Sequence, residues 1–303
     1  MEKNKKTIDI LLILIMILVV IGCIVTFLYF TKVDESTNDK ILFDLKDYPK
    51  VDGAISTLAL NEAYESAFTG KSTENLSITH SKTENAYLNL INGDVDLILV
   101  PYPTDEELEI ARKTGVELEM VPVAKEAFVF FVNKENSVEN LTLGQIQQIY
   151  SGKITNWKSV GGEDSSIIAY QCPSTSENQK GMLSLIMNGT KMKNPDTENI
   201  SQTNSDIINV ITEYENKENA IGYSYYYYTT SLYKDENIKL LSIDGIQPSY
   251  DNIRTGLYRF QTTYYAVIRK NESKDSNTRK LLNAMVSENG QNIVKEAGYV
   301  QNN

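Results

Sequence analysis

Apolar positions along this chain fall into two regimes. The first is an apolar run over residues 10–30, preceded by Lys3, Lys5 and Lys6. A hydrocarbon core is crossed by about 20 helical residues, so the run predicts a transmembrane helix with its basic flank inside. Val20-Ile21-Gly22-Cys23 also resembles a bacterial lipobox, but Ile24 to Phe30 carry the apolar run past the cysteine. An uncleaved anchor is therefore preferred to a lipoprotein signal cut before Cys23. Residues 31–40, rich in Asp, Ser, Thr and Asn, predict a short tether.

From Leu42 onward, short apolar runs alternate with segments of helical period, which predicts α/β domains with largely parallel sheets. Leu60, Ala63, Tyr64, Ala67 and Phe68 share a helical face that stops at Gly70. Residues 76–80 alternate like a strand, and Thr83 is expected to cap a helix that turns Tyr87, Leu90 and Ile91 inward and closes at Gly93. After an apolar strand over 96–100, Thr104-Asp105-Glu106-Glu107 has the spacing of a capping box. Residues 117–123 and 128–132 predict two strands flanking Ala124-Lys125-Glu126, the second bulky enough to be buried on both faces. Thr142 and Gln145 form a second capping box, with Ile146, Ile149 and Tyr150 inward. Trp157 is read as a packing residue whose indole N–H needs an acceptor. A strand over 167–171 then runs into Cys172-Pro173-Ser174-Thr175-Ser176 and a helix faced by Met182, Leu183 and Ile186. Residues 191–204 predict a loop, Tyr225 to Tyr228 core and lobe surface, 257–268 a returning strand, and the C-terminus a helix pair around Gly290.

At 303 residues the chain suits two domains, each with its own core. The formal charge of -11, with no basic stripe, argues against nucleic acid or an anionic membrane surface as a partner. It leaves room for a small buried anion, which is held by local donors and helix ends. Cys23 and Cys172 have no metal-ligand spacing and no disulfide framework is expected; no metal or cofactor is implied.

In α/β sheets, ligands sit beyond the carboxyl ends of the strands, at the starts of the following helices. Three such turns qualify: Gly53-Ala54-Ile55-Ser56-Thr57, Ser81-Lys82-Thr83 and Ser174-Thr175-Ser176. Each sets hydroxyls beside free helix N–H groups, a donor set for an oxyanion. The same hydroxyls are also the preferred caps of any helix. Enzyme chemistry finds little footing. His80 is the only histidine and so the only imidazole base for a serine such as Ser81. Gly161-Gly162 lacks the lysine and hydroxyl of a nucleotide loop. Asp96 and Glu107 read as a strand start and a helix cap.

The order of apolar strand, polar loop, capped helix and tryptophan turn in residues 128–162 resembles the phosphate-binding proteins of phosphate ABC transporters. The resemblance extends over about residues 48–300. It implies an α/β, two-lobed type II periplasmic-binding-protein-like fold, here with an N-terminal transmembrane helix. Lobe one would be 41–125 plus 261–303 and lobe two 126–260, with crossings near Ala124 and Gln261. The function implied is an extracytoplasmic solute-binding protein for phosphate or a related oxyanion, feeding an ABC transporter permease and held at the plasma membrane. No catalysis is expected. The ligand-binding residues implied are Ser56, Thr57, Ser81, Thr83, Ser174 and Ser176.

The chain departs from that family at the same turns. Ala54-Ile55 stands where relatives read Ser-Thr, Cys172 where they commonly carry arginine, and Thr262-Thr263 where Arg-Pro is common. Ser176-Glu177-Asn178 replaces a Ser-Gly-Ser or Ser-Gly-Thr turn, so a glycine that lets backbone approach an anion has become a glutamate. These losses keep a second function open: a ligand-free or non-phosphate surface sensing or interaction protein on the same fold.

Overall fold

A computed structural model describes residues 41–72, 78–174, 176–195, 200, 204–213 and 217–302. The expected anchor, the lipobox and the tether lie outside the described residues. Among the described residues, no helix is long and apolar enough to cross a membrane.

Two compact units are distinguished. The smaller takes in, among the described residues, 41–48 and 65–72. Its Leu42 and Phe43 amides both donate to the Phe68 carbonyl, at 2.8 and 3.1 Å, and Phe43 meets Tyr48 edge to face. The larger takes in 49–64 and the described residues from 78 on.

The larger unit is built on an eight-stranded sheet. Its strands are β1 (Val51–Gly53), β2 (Leu97–Pro101), β3 (Leu118–Asn133), β5 (Ile168–Ala169), β6 (Ala220–Tyr225), β7 (Ile238–Leu240), β9 (Gln261–Arg269) and β10 (Val300–Gln301). The order is β1-β2-β9-β3-β6-β5, with β10 and β7 also pairing to β3. A two-stranded parallel pair joins β4 (Asn140–Leu141) to β8 (Ser242–Ile243).

Strand β3 organises the sheet and corrects the sequence reading. The two strands expected around Ala124-Lys125-Glu126 are one strand of 16 residues. Lys125 and Ala124 stay paired to β9 on one side and to Val300 and Gln301 of β10 on the other, so the ladder does not break there. From Leu118 to Ala127 the strand pairs with β9, with a bulge between Pro122 and Ala124. From Phe128 to Val132 it pairs with β6, as a run buried on both faces. The expectation of largely parallel sheets also fails. Among the described strands, only β1–β2, β4–β8 and β5–β6 are parallel, because β3 and β9 run against each other and against their neighbours.

The helices follow local chemistry closely. Both capping boxes form, Thr104 with Glu107 and Thr142 with Gln145. The Leu58–Thr69 helix buries Leu60, Tyr64 and Phe68 as the pattern predicts. Trp157 is 1% exposed and its indole N–H donates to the Asn219 carbonyl at 3.0 Å. Elsewhere the structure differs. Thr83 is the first residue of its helix; Lys82, at φ 75°, stands at the cap and makes no side-chain cap bond. Residues 78–80 form no strand, and 76–77 lie outside the described residues. The strand over 167–171 shortens to Ile168–Ala169. The helix after Ser176 turns into a π-helix over Met182–Met187, whose wider turn leaves Leu183 exposed while Met182 and Ile186 stay buried. The terminal helices Asn277–Val286 and Glu288–Glu296 break at Ser287, which caps the second, and not at Gly290.

Candidate functional site

The turn after β1 is shaped by close approach. A Cβ on Gly53 would stand 2.7 Å from Asn61 Nδ2 and 2.8 Å from the Leu99 carbonyl, so only glycine fits beside β2. The chain then enters a short 3₁₀ turn, Ile55–Thr57. Thr57 is fully buried and its hydroxyl is held by the carbonyls of Ala54 (2.9 Å) and Leu99 (2.7 Å). A hydroxyl has one proton. That proton is directed at backbone.

Ser81 is committed in a similar way. Its hydroxyl donates to Asp52 Oδ2 at 2.5 Å and its amide to Asp52 Oδ1 at 2.9 Å. Asp52, fully buried in β1, also accepts from Asn89 Nδ2 (2.8 Å) and from the Gly53 amide (2.7 Å). Burial pushes its carboxyl up, but the bonds from Ser81, Asn89 and Gly53 outweigh it and leave the pKa below the ordinary aspartate value. His80 is near enough to feel that charge. Burial lowers its pKa against the pull of Asp52, so the ring stays neutral, and its Nε2 meets Asn61 Nδ2 at 3.3 Å. Because Ser81 gives its proton to Asp52, it does not form the nucleophile–base pair that an enzyme reading requires.

At the other turn, Ser174 is exposed and Ser176 caps the Glu177–Gly181 helix, its Oγ accepting from the Gln179 amide at 3.1 Å. A polar cluster packs behind that cap. The Tyr223 hydroxyl donates to Gln179 Oε1 and accepts from the Cys172 amide at 3.0 Å. Asn178 Nδ2 reaches Ser224 Oγ at 3.3 Å. Cys172, 7% exposed, has its thiol pushed up to about 11 by burial.

The Ser56 side chain of the first turn is among the groups that pull down the pKa of Glu177, at the start of the other turn's helix, and of Tyr264. Ser56 is 4% exposed, while Glu177 faces solvent. Crowding raises the Glu177 pKa, and the Lys180 ammonium and the Ser56 hydroxyl pull it partly back. The Ser56 carbonyl accepts from the Tyr299 hydroxyl at 2.8 Å, Tyr299 stacks on Tyr227 at 4.3 Å, and Tyr264 meets Tyr299 edge to face.

Beneath this aromatic wall lies Glu126, 2% exposed on β3 opposite Thr262. Its Oε1 accepts from the amides of Ala127 (2.8 Å) and Tyr227 (3.2 Å). Burial drives the carboxyl up to about 8 against those backbone donors, so Glu126 is protonated at neutral pH. At the high pH where phenols titrate, Glu126 too is ionised, and the charges of Glu177 and Glu126 join burial in raising the pKa of Tyr225 and of Tyr228.

Of the six serines and threonines expected to bind ligand, Ser56 is buried, Thr57 and Ser81 direct their protons to backbone carbonyls and to Asp52, Thr83 is the first residue of its helix, Ser176 caps its own helix, and Ser174 is exposed. Sequence reasoning missed Asp52, Glu126, Tyr264 and Tyr299. Glu126 had a legible signal, a lone acid one residue ahead of an apolar strand run; for the others the chain offered none.

Strands that cross from one sheet segment to the next, with helix-starting turns gathered at their ends, define the two-lobed α/β class of solute-binding folds. The sequence model of the PBP superfamily domain matches residues 49–288, and the chain belongs to that superfamily. The phosphate-binding protein PstS of Bacillus subtilis (strain 168) is 30% identical over 170 residues, 56% of this chain and 53% of the relative, so that match spans about half of the relative's length. PstS of Staphylococcus aureus (strain USA300) is 26% identical over 266 residues, covering 85% of this chain and 79% of the relative. Among solved structures, an ABC-type phosphate transport receptor from Vibrio cholerae superposes with a TM-score of 0.65 at 21% identity, covering 83% of this chain and 98% of that one. PstS from Borrelia burgdorferi gives 0.60 at 19%, covering 83% and 97%. At these identities the structural likeness carries the fold.

Proposed function

We propose that this protein is an extracytoplasmic receptor for phosphate or a related oxyanion that hands its solute to an ABC transporter permease. The observation that carries the reading is membership of the PBP superfamily through residues 49–288, together with sequence relatives named phosphate-binding proteins. In this reading Ser56, Thr57, Ser81, Thr83, Ser174 and Ser176 line or brace the cleft. Lobe one is 41–125 plus 261–303 and lobe two 126–260, hinged where β3 and β9 pass between them. Ligand contacts from both lobes favour a closed state, by as much as the ligand's differential affinity supplies. Residues 10–30 anchor the chain in the plasma membrane.

Titration calorimetry of the full chain against phosphate and sulfate tests this. Saturable heat with phosphate is expected; no heat and no change in melting temperature at millimolar phosphate would remove the phosphate reading. One observation favours the second reading, a non-phosphate sensing or interaction protein: Glu177 opens the helix that Ser176 caps, and a carboxylate at that helix start repels a dianion. Mass spectrometry of the mature N-terminus tests the anchor, which a diacylglyceryl Cys23 would overturn.

A further inference from the structure

Lys153 lies far in the chain from Lys191 and Lys193, and the fold brings the three to one cavity of about 460 Å³. None of its lining residues belongs to the turns at Ser56, Ser81 or Ser176. The cavity is held open by particular contacts. The helix Leu143–Tyr150 ends at Ser151, and Gly152 follows at φ 77°. A Cβ on Gly152 would stand 3.0 Å from Lys193 Cδ, so the Lys193 stem lies across a position that only glycine leaves clear. The backbone beneath is tied on two sides: the Lys193 amide donates to the Tyr150 carbonyl at 2.8 Å, and the Lys193 carbonyl accepts from Gln171 Nε2 at 2.9 Å. Next to it, Met192 Sδ accepts from Gln179 Nε2 at 3.4 Å.

The positive charge gathered there is not used by the fold. The last carbonyls of the Leu143–Tyr150 helix are taken by the amides of Ser151, Gly152 and Lys153, so no lysine side chain is needed to close that helix. Among the described residues, the lysines in ion pairs are Lys46, Lys113, Lys158, Lys239 and Lys270. None of the three cavity lysines is among them, and no carboxylate lines the cavity. In a chain of formal charge -11 this is a local reversal of sign. Lysine meets phosphate as a point charge. A single exposed pair is worth little, but three ammonium groups around one cavity act together on a solute that carries several charges. The volume falls within the roughly 300–1,000 Å³ of small-molecule sites. No aromatic ring lines it, so it offers no platform for a stacked base.

We propose that this cavity is a second anion site, separate from the ligand turns, and that it takes a small solute with two or more linked phosphate groups. Lys153, Lys191 and Lys193 supply the charge, and Thr190 and Asn194 supply neutral donors at the same wall. Linked phosphates fit better than a single one, because each ammonium can then face its own charged group. The inference stands apart from the receptor reading, which concerns the cleft.

The test is calorimetric titration of sodium tripolyphosphate into the full chain, with millimolar orthophosphate present throughout to occupy the cleft. Three proteins are compared: the wild type, the triple variant Lys153→Gln, Lys191→Gln, Lys193→Gln, and a control that removes the same charge from exposed lysines outside the cavity, Lys134→Gln, Lys234→Gln, Lys274→Gln. Melting curves establish that each folds. Wild type and control should bind tripolyphosphate alike, and the cavity variant roughly tenfold more weakly, the combined scale of three exposed charge pairs. Added salt should weaken wild-type binding, because exposed charges are screened. Tripolyphosphate heat that is equal in wild type and cavity variant, or absent from both, would overturn the inference while leaving the receptor reading untouched. An equal loss in the control would also overturn it, since net charge and not the cavity would then be responsible. Absence of any heat with orthophosphate alone removes the receptor reading and leaves this comparison as it stands.

Discussion

Glu126 makes the most quantitative prediction. Its carboxyl lies 2% exposed at the point where β3 leaves β9 for β6, and its pKa is raised from 4.5 to about 8. Its folded pKa exceeds its unfolded pKa, so between these values the native state holds a proton that the unfolded chain releases. The associated stability is complete below about pH 4.5 and is lost as pH rises through about 8. Each pH unit in that window costs about 1.4 kcal/mol, so by pH 7 the loss reaches about 3 kcal/mol. Glu126→Gln keeps an oxygen for the Ala127 and Tyr227 amides and has no proton to lose. The stability of the variant relative to the wild type should therefore rise by about 3 kcal/mol between pH 4.5 and pH 7, roughly 10 °C in Tm. Urea melts of both proteins at half-unit intervals from pH 4.5 to 8, followed by circular dichroism, measure the difference directly and cancel every other titrating group. Parallel curves for the two proteins across that range would refute the argument, whatever their offset.

Three further outcomes are expected. Asp52→Asn should destabilise by about 1.5 to 3 kcal/mol near neutrality, the scale of lost hydrogen bonds to a charged group, and by less as pH falls through the lowered folded pKa, because Asp52 contributes when ionised; urea melts at pH 3 and pH 7 show the difference. Trp157→Phe removes the donor to the Asn219 carbonyl and should cost at least about 1 kcal/mol, read by circular dichroism. Cys172, buried and with its thiol held at about 11, should resist alkylation at pH 8 in the native protein and react once urea unfolds it, as peptide mapping of the label will show.

The departures from relatives acquire a physical meaning once the contacts are known. Thr262 lies opposite Glu126 in the β3–β9 register, where relatives commonly carry arginine. An arginine there would meet a carboxyl that this chain instead keeps protonated by burial. Cys172, in place of another arginine, accepts its burial as an uncharged thiol. Both changes remove a cation, and Glu177 adds an anion.

Much of the molecule was decided within a few residues of chain. The capping boxes at Thr104 and Thr142, the buried faces of Leu60, Tyr64 and Phe68, and the doubly buried run from Phe128 to Val132 were all legible, because a cap, a helical stripe and an apolar run each name their own partners at short range. The tertiary structure decided the rest. Residues on either side of Lys125 became one strand because β9 and β10 pair there from more than a hundred residues away in the chain. Ser56 and Ser81 looked alike as hydroxyls at helix starts, yet one is sealed from water and the other is bonded to Asp52. Glu126 and Glu177 are the same residue type, and one is sealed while the other faces water. Sequence supplies the donors, acceptors and charges; which of them face each other, and how much water remains between them, depends on long-range packing.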